Sequence, residues 1–176
     1  GQKTVTLAIE AGSERLRKVI NKNLNKNQIF NAIEIAHKNG LKGIKFYGMI
    51  GLPTETDTDL SEMINLAKEV KEKYKTFDIS FGFSSFIPKP HTPFQWFGRE
   101  NTKALEKKVQ YLKKEFHKLG IKSQFSSIKW DYYQAVLSRG DESFTDFLID
   151  VYKNNSTLGA FKSAAKNRIN KIFMKI

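Results

Sequence analysis

Val5, Leu7 and Ile9 alternate with other residues through positions 3–10, a period of two that predicts a strand. The alternation stops at Ala11-Gly12-Ser13. Leu16, Val19 and Ile20 then recur at helical spacing until Asn21-Lys22-Asn23 breaks the run. Asn27 stands where a cap would, ahead of a helix over about 28–39 with Ile29, Phe30, Ile33 and Ala36 on one face. Asn39-Gly40 ends it. Residues 43–51 predict a second strand. Thr56 or Thr58 caps the next helix, where Leu60, Met63, Ile64, Ala67 and Val70 form an amphipathic stripe. Residues 77–87 predict a third strand. Pro88, Pro90 and Pro93 follow it closely, so 88–96 reads as a stiff, extended loop.

The order so far is β-α-β-α-β. Strands separated by single helices favour a parallel sheet with right-handed crossovers. Three such strands leave two open edges and poorly covered faces. Either the chain is part of something larger, or its tail completes the sheet. The tail begins with a helix over 102–119, carrying Leu105, Val109, Leu112, Phe116 and Leu119. Residues 121–128 look strand-like and 130–138 helical. Arg139-Gly140-Asp141 reads as a turn. Ser143 is the expected cap of a helix with Phe144, Phe147, Leu148 and Val151, and Asn154-Asn155-Ser156 breaks it. A last basic helix is expected over 157–174. The clearest boundary is 97–102. The expected domains are therefore 1–98, an α/β parallel half-barrel, and 99–176, a mainly helical extension.

Composition narrows the chemistry. The 176 residues include no cysteine, which removes disulfides, zinc-thiolate sites, a Cys nucleophile and Cys-ligated iron–sulfur clusters from this chain. The absence fits a reducing, cytoplasmic compartment. No apolar run approaches the roughly 20 residues of a membrane helix, and no signal peptide is visible. The chain opens on Gly1, which reads as an internal cut rather than a natural start. Thirty Lys and Arg against 18 Asp and Glu give a net charge of +12. That allows an anionic partner, RNA first. The bases gather mildly at Arg15-Arg17-Lys18-Lys22-Lys26 and at Lys103-Lys107-Lys108-Lys113-Lys114. Solvated helix faces explain the same pattern.

In parallel α/β folds, sites are built at the C-terminal ends of the strands. The first end is Glu10-Ala11-Gly12-Ser13, where a carboxylate can hold ribose hydroxyls and the glycine permits close approach. The second is Gly48-Met49-Ile50-Gly51-Leu52-Pro53-Thr54-Glu55. Its glycines mark close packing or a nearby ligand. The third is the Pro-rich loop with His91 and Trp96. Several templates are absent: no phosphate-binding Gly-rich loop, no Gly-x-Gly-x-x-Gly and no Gly-x-Ser-x-Gly. His37, His91 and His117 lie far apart, so no His-based metal site is expected.

Taken in order, the three strand ends resemble the radical S-adenosylmethionine (radical SAM) superfamily. Residues 6–22 resemble its fourth strand and following helix. Gly48-Met49-Ile50-Gly51-Leu52-Pro53-Thr54-Glu55-Thr56 resembles its fifth strand and loop, with Thr54 where the family pattern has Gly. Phe86-Ile87-Pro88-Lys89-Pro90-His91-Thr92-Pro93-Phe94-Gln95-Trp96 resembles the end of its sixth strand, and is most similar to members with a cobalamin-binding-type N-terminal domain. The resemblance implies the second half of a partial (β/α)₆ barrel. It implies SAM and a 4Fe-4S cluster in a longer parent whose N-terminal half carries the cluster cysteines, and it allows cobalamin. By position, Glu10 matches the ribose-contacting residue, and Lys22 the basic residue that reaches the SAM carboxylate. Ser13, in the same first strand-end motif, is a further cofactor-binding candidate. Ile50 and Ile87 match positions against adenine. Tyr47, a further cofactor-binding candidate by the same resemblance, stands where many relatives have Asp. Glu55 and His91 are the candidate substrate-facing residues. A half-barrel alone is expected to expose a sheet edge and an apolar side, and to cover them by dimerising or by swapping.

Overall fold

A computed structural model describes residues 1–166. The strands are β1 (Thr4–Glu10), β2 (Gly43–Ile50), β3 (Asp78–Ser85) and β4 (Lys122–Phe125). They form one parallel sheet in the order β1-β2-β3-β4. The α/β half-barrel reading thus holds, and the tail adds a fourth strand. Helices α1 (Glu14–Val19), α2 (Lys26–Lys38), α3 (Asp57–Lys73) and α4 (Thr102–Lys118) connect them. Then come α5 (Ile128–Leu137), a 3-10 turn (Glu142–Phe144), α6 (Thr145–Lys153) and α7 (Leu158–Lys166).

The chain divides into two compact units. The first is Gly1–Phe86 with Lys103–Ser126; the second is Ile87–Thr102 with the residues from Ser127 onward. Most of α4 and all of β4, which follow the expected division at 98/99, pack within the first unit.

In the first unit the period-two pattern sorts side chains cleanly. Register pairs Leu7 with Phe46, and Phe46 with Phe81. Ile9, Ile44, Phe46, Ile79, Phe81 and Phe83 fill this buried face. Phe46 and Phe81 rings lie 4.9 Å apart, and Phe81 meets Phe116 of α4 at 4.7 Å. Each such phenylalanine contributes about 2 to 3 kcal/mol by burial. The other face carries Thr4, Thr6, Ala8, Lys45, Tyr47, Met49, Ser80, Gly82, Ser84, Lys122 and Gln124. The expected exposed apolar side is therefore not found: this face is mainly polar, with Thr4, Thr6, Ser84, Lys122 and Gln124 exposed.

Several boundaries differ from expectation. Asn25, not Asn27, caps α2: it accepts from the Gln28 amide at 2.9 Å while the Gln28 side chain accepts from the Asn25 amide at 2.9 Å. This reciprocal capping starts the helix two residues earlier. Thr56 is the cap of α3. In the second unit Asp141 caps the 3-10 turn and accepts from the Ser143 amide, so Ser143 is the donor and not a cap. That unit has its own core of Tyr133, Val136, Phe144, Phe147, Val151, Ala160 and Ala165. The expected last helix is present from Leu158 to Lys166, and its remainder lies outside the described residues.

Candidate functional site

At the end of β1, Glu10 leaves the strand in an unusual conformation. Its φ is +64°, and the register with β2 shifts between Ala8 and Glu10. The Ala11 amide donates to the Ile9 carbonyl at 2.8 Å across it. This is a γ-turn of the strained type, with a non-glycine at its centre. The Glu10 carboxylate sits 3.9 Å from the Lys22 ammonium, with side chains 24% and 38% exposed. Glu10, matched by resemblance to the ribose contact, and Lys22, matched to the SAM-carboxylate contact, are thus neighbours in the structure. They are loosely paired and open to solvent, so both keep hydrogen-bonding capacity for a ligand.

Ser13 is placed differently. Its hydroxyl is buried, caps α1 by accepting from the Leu16 amide at 3.0 Å, and donates to Asp59. Asp59 is a hub: it also accepts from Arg15 and, at 2.8 Å each, from the Thr56 amide and hydroxyl. Burial alone would raise the Asp59 carboxyl. The hydrogen bonds from Arg15, Ser13 and Thr56 outweigh it and hold the group at about 2. Arg15 extends this link to the Thr54 carbonyl at 2.8 Å. Arg17, read from sequence as part of a basic cluster, is 1% exposed. Its guanidinium donates to the carbonyls of Leu24, Ala11 and Gly12 at 2.6, 2.7 and 2.8 Å. Desolvation lowers its pKa. It ties the β1–α1 turn to the start of α2.

The β2–α3 loop is built by strain and a buried charge. Gly51 (φ +74°) and Thr54 (φ +65°) turn the chain. Glu55 accepts from the Gly51 amide at 2.8 Å and pairs with Lys108 of α4 at 2.7 Å, with only 2% of its side chain exposed. Glu55 is therefore a brace of the loop. A Cβ on Gly12 would meet the Met63 backbone at 2.1 Å, and one on Gly48 the Phe83 ring at 2.8 Å. Close packing explains both glycines. Ile50 is 1% exposed, and its carbonyl accepts from the Phe86 amide at 2.8 Å. Tyr47 is 45% exposed on the opposite, polar face.

Ile87 and His91 belong to the second unit. Ile87 is half-buried. His91 is exposed, with φ +59°, and its amide donates to Gln95 at 3.2 Å. Trp96 in the same loop is 86% exposed.

Sequence reasoning missed Asp59 and took Arg15 only as part of a basic cluster. The Thr56-to-Asp59 spacing is a variant of the capping box and could have flagged Asp59. Nothing local marks Arg15, whose partners lie 39 and 44 residues away.

The donor set sets limits on cofactors. A 4Fe-4S cluster needs thiolates, and the chain has none; among the described residues no cluster of three His, Asp or Glu could hold a metal. The cluster does not fit on this chain. SAM presents a ribose diol and a carboxylate, which suit Glu10 and Lys22 respectively. No helix among the described residues is long and apolar enough to cross a membrane.

Over 156 residues the chain is 42% identical to the uncharacterized protein MJ0966 of Methanocaldococcus jannaschii, covering 89% of this chain and 34% of that protein. The chain thus spans about a third of the curated relative it matches. Residues 1–67, which hold Glu10, Lys22 and the Gly51-to-Glu55 loop, match the model of the Radical SAM superfamily, and this match supports a place for the chain in that superfamily, whose members in general use SAM and a 4Fe-4S cluster.

Proposed function

We propose that this chain is the second part of a radical SAM barrel and supplies part of the SAM-binding edge of a longer iron–sulfur enzyme. The single observation that carries the reading is the Glu10–Lys22 pair at the end of β1, inside the matched stretch. When bound, the cluster and SAM supply reductive cleavage of SAM. The chain's own residues bind and orient. Glu10 accepts hydrogen bonds from the ribose hydroxyls, and its γ-turn aims the carboxylate out of the sheet edge. Lys22 balances the SAM carboxylate. Arg17, Asp59 and Glu55 hold the two loops in place behind them. The cluster cysteines belong to a partner segment, the N-terminal half of the same protein, and the enzyme is cytoplasmic. The wording of residues 86–96 adds a cobalamin-binding-type domain to this reading.

The test uses the longer parent, prepared without oxygen. Iron content and 5′-deoxyadenosine formation from SAM are measured for wild type and Glu10→Ala. Cluster and product in wild type, with product reduced at least tenfold in the variant, support the proposal. A parent without cluster or product overturns it, and salt-dependent RNA binding by a basic α/β module becomes the better account. The visible absorption of the same preparation, with cobalamin added, decides the cobalamin part.

A further inference from the structure

The polar face of the first unit carries a groove that the SAM-edge reading does not use. It has a volume of about 320 Å³ and is lined by Lys45, Tyr47, Gly82, Ser84, Gln124 and Ser126, among others. That is the size of a small-ligand site. Closed parallel barrels usually fill their interior with layers of bulky branched side chains. Here the matching rows are small or polar. Tyr47, Gly82 and Gln124 are aligned in register across β2, β3 and β4. Lys45, Ser80 and Lys122 form the row beneath them. A Cβ at Gly82 would meet the Tyr47 ring at 2.8 Å, so the missing side chain is what lets the phenol lie across the sheet.

The charge pattern selects the ligand. The Lys45 ammonium is 4.9 Å from the centre of the Tyr47 ring. Lys45 is half-buried, and among the described residues it has no carboxylate partner. A half-buried ammonium without a counter-charge is costly, and it is stabilised by an incoming anion. The Tyr47 and Ser84 hydroxyls and the Gln124 amide line the same groove and have no protein hydrogen-bond partner among the described residues. No Asp or Glu lines it. The acids of these strands lie at their ends and outside the lining: Glu10, already paired with Lys22, and Asp78, at the start of β3. The groove therefore offers donors and one positive charge.

We propose that this groove binds the anionic group, carboxylate or phosphate ester, of a small organic molecule, with Lys45 as its counter-charge and Tyr47 against the adjoining apolar part. In the radical SAM reading that molecule is the substrate, and this identification rests on that reading; the binding itself does not.

The experiment uses the full-length parent and three probes: benzoate, phenyl phosphate and the neutral benzamide. Binding is followed by calorimetry or ligand NMR. The expected result is saturable binding of at least one anion, tenfold or more tighter than benzamide. Lys45→Gln should weaken it at least tenfold, Lys45→Arg should retain it within threefold, and the exposed Lys107→Gln should leave it unchanged. The preferred anion tells carboxylate from phosphate ester. A thermal melt of each variant shows whether it is folded. The inference is overturned if neither anion binds saturably, if a folded Lys45→Gln binds like wild type, or if only a ten-nucleotide single-stranded RNA shows Lys45-dependent binding. Deoxyadenosine formation on the same wild-type preparation separates the two readings. Product without anion binding overturns only the groove; anion binding without product overturns only the radical SAM reading.

Discussion

Glu10 combines a strained backbone with an exposed charge, and the two can be tested separately. At φ +64° any residue with a Cβ costs about 1 kcal/mol over glycine. Glu10→Gly should therefore be more stable than Glu10→Ala by about 1 kcal/mol in urea unfolding, while both lose deoxyadenosine formation alike. Equal stabilities would show that the surrounding turn does not enforce the strain. Asp59 makes the opposite case, a carboxylate whose value is structural. Its folded pKa of about 2 lies below the ordinary 3.8, so its contribution is complete above the ordinary value and is lost as pH falls through the folded one. The contribution is roughly 2 kcal/mol. Between about pH 5 and about pH 1, wild type should lose roughly that much more stability than Asp59→Asn. Parallel pH profiles for the two proteins would remove Asp59 from the stabilising network.

Among the elements, the β2–α3 loop depends most on one contact. Glu55 and Lys108 join the loop to α4 with little access to water. Removing one charge of a buried pair leaves the other uncompensated, at about 3 kcal/mol. Glu55→Gln should show that loss in urea unfolding, and the double variant Glu55→Gln/Lys108→Met should recover most of it. A neutral single variant would mean that Lys108 simply turns out to solvent. This contact also marks where the sequence stops being readable. The strands and the stripes of α3 and α4 were legible because period two and period 3.6 are local properties. Glu10 and Lys22 were matched to SAM through the resemblance alone; no local pattern pairs them, and Lys22 lies beyond the end of α1. Glu55 looked substrate-facing because its partner lies 53 residues away. Arg17 looked like surface charge because its three acceptors are backbone carbonyls, which leave no trace in side-chain patterns. The Asn25 cap was readable in principle from Asn25-to-Gln28 spacing. The β4 strand is only four residues long, too short for its alternation to set its ends.

For the whole molecule, the two sheet edges are not equivalent. The β4 edge is short and carries Lys122, a usual way to discourage pairing. The β1 edge is longer, and from Thr4 to Ile9 it has no charge and no proline. Such an edge is a template for another strand. The polar character of the adjoining face means that pairing there would rest on main-chain hydrogen bonds and not on apolar burial. The association should accordingly be concentration-dependent. We expect the 176-residue chain by itself to scatter light as a dimer at high concentration, with twice the mass of the monomer, and to dissociate on dilution. Thr6→Glu should return it to a monomer: Thr6 is exposed and registers with Lys45, so a carboxylate is accommodated within the chain. Two such carboxylates on paired edges repel. If the proposed radical SAM reading holds, upstream strands of the longer parent would occupy the β1 edge, and no dimer of this kind should form there. A wild-type chain that stays monomeric at every concentration would mean that the edge is already protected within the 176 residues. A dimer that survives Thr6→Glu would move the contact to another surface. A parent that dimerises through the same edge would count against the half-barrel reading itself, because the barrel needs that edge for its own first half.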